Sequence, residues 1–243
     1  MTATRSRWLL CRRRRPGAAS RLYCFPHSGG AAGEYVRWSD ALPGTEVWGV
    51  QPPGRGGRLA EPAFDSMAAL VEAVVGEAAF EPPYTLFGHS LGALVAYETA
   101  LLLRERGLPA PERLILSAYG SPYLHRPGEP VHELGDTALM EAVERAYGPL
   151  PDAVREDAEL RSLVLGGLRA DLAIVATYRP APAVPLDIPI TVVGGADDAE
   201  SPERLVAWHG LTTGPFDLRL FPGGHFYFRE RSDELMRFLA ERA

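Results

Sequence analysis

The chain has 243 residues, 46% of them hydrophobic, enough for one α/β domain with a large core. All 25 basic residues are arginine, since the sequence contains no lysine, and asparagine is absent too. This excludes a phosphate-loop lysine, a lysine Schiff base, a Cys-His-Asn protease site and an Asn-linked glycan, and a net charge of −6 argues against a general nucleic-acid binder.

Trp8 to Arg13 reads as a first, edge strand, with the turn Pro16-Gly17 after it. Its arginines follow the apolar residues, the reverse of a secretory signal, and no apolar run reaches membrane-spanning length; a soluble, cytoplasmic protein is expected. Arg12 to Arg15 are read as a solvated strand end that discourages edge pairing, in preference to a patch for an anionic partner. Arg21 to Phe25 is a buried strand by its apolar run and opens into Pro26-His27-Ser28-Gly29-Gly30, before a helix at about Glu34 to Leu42. Cys11 and Cys24 fall on what read as neighbouring strands without paired Cys or His spacing, so neither a disulfide nor a zinc site is expected. Glu46 to Val50 is the next strand; in the loop that follows, Arg55 and Arg58 are expected to fix the backbone by salt bridges. Ser66 to Ala79 has Met67, Leu70, Val71, Val74 and Val75 at helical spacing.

Thr85-Leu86-Phe87 then stops in Gly88-His89-Ser90-Leu91-Gly92 and turns directly into a helix without Gly or Pro before Gly107. In that context G-x-S-x-G marks a nucleophile elbow. Gly88 and Gly92 leave room where strand and helix crowd, Ser90 is the candidate nucleophile, and the Leu91 N–H at the helix start faces the oxygen that becomes negative during attack. A second donor belongs on the glycine-rich loop after an earlier strand, where the Ser28 N–H is the first choice and Gly29 the alternative.

Arg113 to Ser117 is a further buried strand, so strands and helices alternate as in a parallel sheet covered on both faces. The alternation breaks between about residues 119 and 185, where Asp136 to Ala146 and Arg155 to Tyr178 are amphipathic helical stretches around Gly148-Pro149-Leu150-Pro151. An inserted helical lid accounts for them, with His125 and His132 read as surface residues. The sheet resumes at Ile188 to Gly194, and the turn after it carries Asp197 and Asp198, of which Asp197 is preferred as the acid that orients a histidine. No carboxylate occurs from Ser117 to Arg126, the rival location. Leu218 to Phe221 is the last strand, and His225, on the Pro222-Gly223-Gly224 loop before a C-terminal helix, is the candidate general base. The order Ser90, Asp197, His225 is that of α/β-hydrolases. The expected fold is therefore a single α/β-hydrolase domain over residues 1–243, with a mostly parallel sheet of about seven strands, helices on both faces and a lid at 119–185.

From about Trp8 onward the chain resembles the type II thioesterases, the free-standing editing enzymes of polyketide and nonribosomal peptide synthesis. The motifs that carry the resemblance are Phe25-Pro26-His27-Ser28-Gly29-Gly30, Pro53-Gly54-Arg55-Gly56, Gly88-His89-Ser90-Leu91-Gly92, Leu168-Arg169-Ala170-Asp171 and Pro222-Gly223-Gly224-His225-Phe226, in that order. Two details depart from the family pattern: Ser28 stands where Ala is usual, and the Pro that commonly follows the triad acid is missing. The resemblance implies an acyl thioester on the phosphopantetheine arm of an acyl or peptidyl carrier protein as substrate, hydrolysed through an acyl-enzyme without metal or dissociable cofactor. It also implies substrate-binding positions at His27, Gly29, His89 and Phe226, and acidic carrier helices that meet surface arginines such as Arg12 and Arg13. The alternatives are a small-molecule carboxylesterase, a peptidase or a cyclising thioesterase of the same fold, and a non-catalytic relative. Such binding proteins would have lost triad members, and an epoxide hydrolase or dehalogenase would carry Asp at position 90.

Overall fold

The computed structural model describes residues 6–126, 130–182, 184–230 and 232–242. Seven strands, β1 (Leu9–Cys11), β2 (Ser20–Phe25), β3 (Thr45–Val50), β4 (Tyr84–His89), β5 (Arg113–Ser117), β6 (Ile190–Gly195) and β7 (Phe216–Phe221), form one sheet in the order β1-β3-β2-β4-β5-β6-β7. Only β1 is antiparallel to its neighbour. Because β3 lies between β1 and β2, Cys11 and Cys24 are not on adjacent strands as expected, and both are free.

Nine helices are described: α1 (Ala32–Tyr35), α2 (Met67–Glu77), α3 (Leu91–Glu105), α4 (Asp136–Tyr147), α5 (Asp152–Glu156), α6 (Ala158–Thr177), α7 (Pro202–Val206), α8 (Tyr227–Glu230) and α9 (Ser232–Ala240). Alternation along the buried strands decides which helices cover which face. Tyr23, Phe25, Leu86, Leu114, Leu116 and Val192 point into one core with α2, α3 and Ile174 of α6. Their neighbours Leu22, Cys24, Phe87, Ile115 and Val193 point into a second core with Tyr35 of α1 and with α8 and α9. Neither sheet face is left to solvent, which is why the central strands read as continuous apolar runs.

The Arg12–Arg15 run is tied into the fold. Arg12 and Arg13 pair with Asp40 on the surface, Arg14 with the buried Glu46, and Arg15 donates to the carbonyls of Ser39, Leu42 and Thr45. Between β5 and β6, α4, α5 and α6 form the inserted segment, with a small core of Leu139, Val143, Leu165 and Leu168. Residues 127–129 and 183 of the expected lid span lie outside the described residues. The single helix expected from Arg155 to Tyr178 is broken at Asp157, whose carboxylate accepts from the Glu159 and Leu160 N–H groups and so starts α6 afresh. His125 and His132 are half-buried, not surface residues: the Tyr119 hydroxyl and His125 Nδ1 are hydrogen-bonded at 2.9 Å, and Arg169 donates to the His132 carbonyl.

Candidate active site

The strand-to-helix turn at the end of β4 holds Ser90 at φ 56°, ψ −123°, a conformation that costs an L-residue about 1–3 kcal/mol. The Ser90 N–H donates to the Ser117 carbonyl of β5 at 2.8 Å, which anchors the turn. The flanking glycines are required by contact: a Cβ on Gly88 would strike the Gly92 carbonyl, and one on Gly92 would strike the carbonyl of Phe25. Crowding at the end of β2 and β4 therefore leaves the serine no route but upward, to the carboxyl end of the sheet. There Ser90 lines a cavity of about 460 Å³ with His27, Ser28, Gly29, His225 and Phe226 on one side and α4 to α6 on the other.

His225 stands on the loop between β7 and α8, and its Nδ1 lies 2.9 Å from Oδ2 of Asp198. The Asp198 side chain is only 4% exposed. Asp197, preferred from the sequence, does not make this contact. Its backbone continues the ladder beyond β6, with its N–H on the Gly223 carbonyl, and among the described residues its exposed carboxylate accepts only from the Gly223 N–H at 3.3 Å. The chain turns one residue later, where the Asp198 N–H reaches back to the Gly195 carbonyl and the side chain swings inward. Gly195 allows the two loops to meet, since a Cβ there would collide with the carbonyls of Gly223 and Gly224. No hydrogen bond joins the Ser90 hydroxyl to His225 among the described residues, as is common for catalytic pairs without bound substrate.

Among the described residues, the N–H of Leu91, directly after Ser90, and that of Ser28, on the cavity wall, have no acceptor. The first opens α3, whose dipole adds positive character. Gly29, the alternative to Ser28, is already engaged: its N–H donates to Asp171 Oδ2 of α6 at 2.7 Å. Arg55 holds the same carboxylate from the other side, at 2.5 and 2.8 Å, and Arg58 pairs with Glu61, so both arginines form the expected salt bridges.

His27 is buried on the cavity wall, 3.1 Å from the Tyr35 hydroxyl, with its ring edge-on to Phe226 at 4.8 Å. Burial holds its pKa down to about 4, against the pull of Glu34. Arg229 lies 3.9 Å over the Phe226 ring and pairs with Glu34, closing that side of the rim. His89, expected to bind substrate, is fully buried and does not line the cavity. It lies beneath His225 and Phe226, ring centroids 5.0 and 5.5 Å away, and bonds Ser117 Oγ through Nδ1 at 2.8 Å. As a strand residue next to the elbow it must point opposite to Ser90's neighbours above the sheet, and burial drives its pKa well below the ordinary histidine value.

Three residues at the site were given no role from the sequence. Tyr147, at the end of α4, covers His225 with ring centroids 5.1 Å apart, and nothing in its surroundings singled it out. Arg229 carried no signal either. Asp171 did: it is a charge on the apolar stripe of α6, between the buried Leu168 and Ile174.

The thioesterase domain family matches residues 20–242. The chain belongs to this family. Thioesterase PikA5 of Streptomyces venezuelae is 40% identical over 233 residues, 93% of this chain and 82% of that protein. RedJ, a thioesterase from the prodiginine pathway of Streptomyces coelicolor, superposes with a TM-score of 0.85 at 40% identity, covering 94% of this thioesterase and 87% of RedJ. The type II thioesterase BorB from the borrelidin cluster gives 0.85 at 35% identity, with 96% of each chain covered. This thioesterase thus has the α/β-hydrolase fold of the type II enzymes and is a hydrolase of their class. Among the described residues, no helix is long and apolar enough to cross a membrane.

Proposed function

We propose that this thioesterase unloads acyl groups from the phosphopantetheine arm of an acyl or peptidyl carrier protein, through an acyl-enzyme on Ser90. The observation that carries the reading is the shared cavity: a serine on a strained elbow, and a histidine whose Nδ1 is held by a buried carboxylate, open into one chamber walled by α4 to α6. Asp198 fixes the tautomer that leaves His225 Nε2 free to accept a proton. Nε2 takes the Ser90 proton while Oγ attacks the thioester carbon, and the carbonyl electrons move onto oxygen beside the Leu91 and Ser28 N–H groups. Collapse of that intermediate breaks the C–S bond, and the departing sulfur takes the proton from His225. A water then gives its proton to His225 and attacks the acyl carbon; collapse returns Oγ to Ser90 with the proton and releases the acid. The steps call on no metal or dissociable cofactor.

His27, Gly29 and Phe226 line the chamber and contact the substrate in this scheme, whereas His89 supports the ring above it. PikA5 and the prodiginine and borrelidin thioesterases support the carrier-bound substrate class. The test is hydrolysis of a propionyl-loaded carrier protein, followed by intact-protein mass, beside the same acyl group as a simple oxygen ester, with Ser90→Ala as control. Fast Ser90-dependent unloading with weak ester turnover is expected. Rapid ester cleavage with a carrier that stays loaded overturns the carrier assignment in favour of a general esterase. Turnover that survives in Ser90→Ala overturns the acyl-enzyme.

A further inference from the structure

We propose that Asp171 is a positioning residue for acyl transfer: through the Gly29 amide it fixes the loop that presents the Ser28 N–H to the developing oxyanion. The inference rests on the acyl-enzyme reading above. Asp171 lies in the middle of α6, far from either helix end, with a side chain only 3% exposed. A carboxylate in such a place must be fully satisfied, and all three of its hydrogen bonds run to the loops after β2 and β3. They come from Gly29 N at 2.7 Å, Arg55 Nη1 at 2.5 Å and Arg55 Nη2 at 2.8 Å. Arg55 does not line the chamber; two further N–H groups of its guanidinium reach the carbonyls of Gly30 and Pro53 at 3.4 and 3.3 Å. The guanidinium therefore serves the carboxylate and the loop, not a ligand.

The loop is fixed on the far side of Ser28. Gly30 N–H closes a turn onto the His27 carbonyl at 2.8 Å, and Gly29, at φ +73°, is held by Asp171. Ser28, between His27 and Gly29, lines the same chamber as Ser90, and its N–H has no acceptor among the described residues. Close packing reinforces the arrangement: a Cβ on Gly167 would meet the Gly54 carbonyl at 2.6 Å, so α6 lies directly on the Arg55 loop. An oxyanion donor lowers the barrier only if it is aimed before attack begins, and a displacement of about 1 Å can cost roughly a hundredfold in rate. A charge-assisted bond from Asp171 supplies that aim from the inserted segment.

The experiment removes both charges together, Asp171→Leu with Arg55→Met, so that neither is left buried alone. Folding is read by circular dichroism and Tm, and turnover with a propionyl thioester of N-acetylcysteamine. Expected are a kcat about 10- to 100-fold lower, a KM within about threefold, and a loss of affinity for a trifluoromethyl ketone analogue that parallels kcat. Affinity for the product acid stays unchanged. A folded double variant with wild-type kcat, a change confined to KM, or a kcat loss without loss of ketone affinity overturns the proposal. If the double variant does not fold, Asp171→Asn decides: parallel falls in kcat and ketone affinity support positioning, and a lower Tm with both unchanged overturns it. Ser90→Ala separates the two levels. Turnover surviving in it fails the acyl-enzyme itself, whereas a silent Ser90→Ala with full-rate Asp171 variants fails this inference alone.

Discussion

Replacing each of the two adjacent aspartates by asparagine discriminates between them sharply. Asp198 Oδ2 is 2.9 Å from His225 Nδ1 and nearly excluded from water, so in the proposed mechanism the carboxylate both selects the Nδ1–H tautomer and stabilises the imidazolium formed during attack. An asparagine amide turned toward Nδ1 favours the other tautomer, with the proton on Nε2, where it can no longer accept from Ser90. In a Ser-His-Asp site that change costs about ten-thousandfold in kcat. At 1.36 kcal/mol per factor of ten, a loss of about a thousand- to ten-thousandfold corresponds to roughly 4–5.5 kcal/mol of transition-state stabilisation. Asp197 is exposed and accepts one hydrogen bond, at 3.3 Å, so Asp197→Asn should keep kcat within about threefold. Thiol release from an acyl-N-acetylcysteamine thioester measures both. Comparable damage from the two variants, or an Asp198→Asn enzyme within tenfold of wild type, would refute the assignment.

Gly88→Ala and Gly92→Ala should each fail to fold or lose most soluble protein, because the added Cβ meets backbone; Gly210→Ala, with nothing within 4 Å, should keep its Tm within a few degrees. Stability should fall in acid through His27: the unfolded side chain protonates near 6.5 and the folded one at about 4, so the contribution is complete above pH 6.5 and is lost as pH drops toward 4. The shift is worth up to about 3 kcal/mol, visible as a falling urea midpoint, and His27→Gln should flatten the slope over that window; an unchanged slope would be contrary. Val164→Phe, on the α6 wall of the chamber, should lower kcat/KM for an octanoyl thioester at least about tenfold while sparing acetyl, and equal losses on both would contradict an acyl chamber there.

The sheet was legible because its central strands are buried on both faces and its helices carry apolar stripes, patterns set by local sequence and independent of what packs above them. The turns that carry Ser90 and His225 were legible for a related reason: the glycines that make them possible stand beside them in the chain. Asp198 was not, since adjacent residues on one turn point in opposite directions, and the choice rests on how far the ladder to the Gly223 loop continues. His89 was misassigned because a motif neighbour in sequence lies under the site in space. The tie from Asp171 to Gly29 joins residues 142 apart; the Leu168-Arg169-Ala170-Asp171 motif and the odd charge on an apolar stripe marked the residue but not its partner.

The clamp on α6 has a consequence for how the chamber changes size. Lifting this helix off the loops would break the Arg55–Asp171 pair and the bond to the Gly29 N–H together. One wall is therefore set at folding. Acyl groups that need more room would gain it elsewhere in the lining, which includes Tyr147 and the Gly148-Pro149-Leu150-Pro151 connection between α4 and α5. The chamber is thus built like a vice with one jaw tied to the sheet, and tolerance for large acyl groups should evolve at that connection and not on α6.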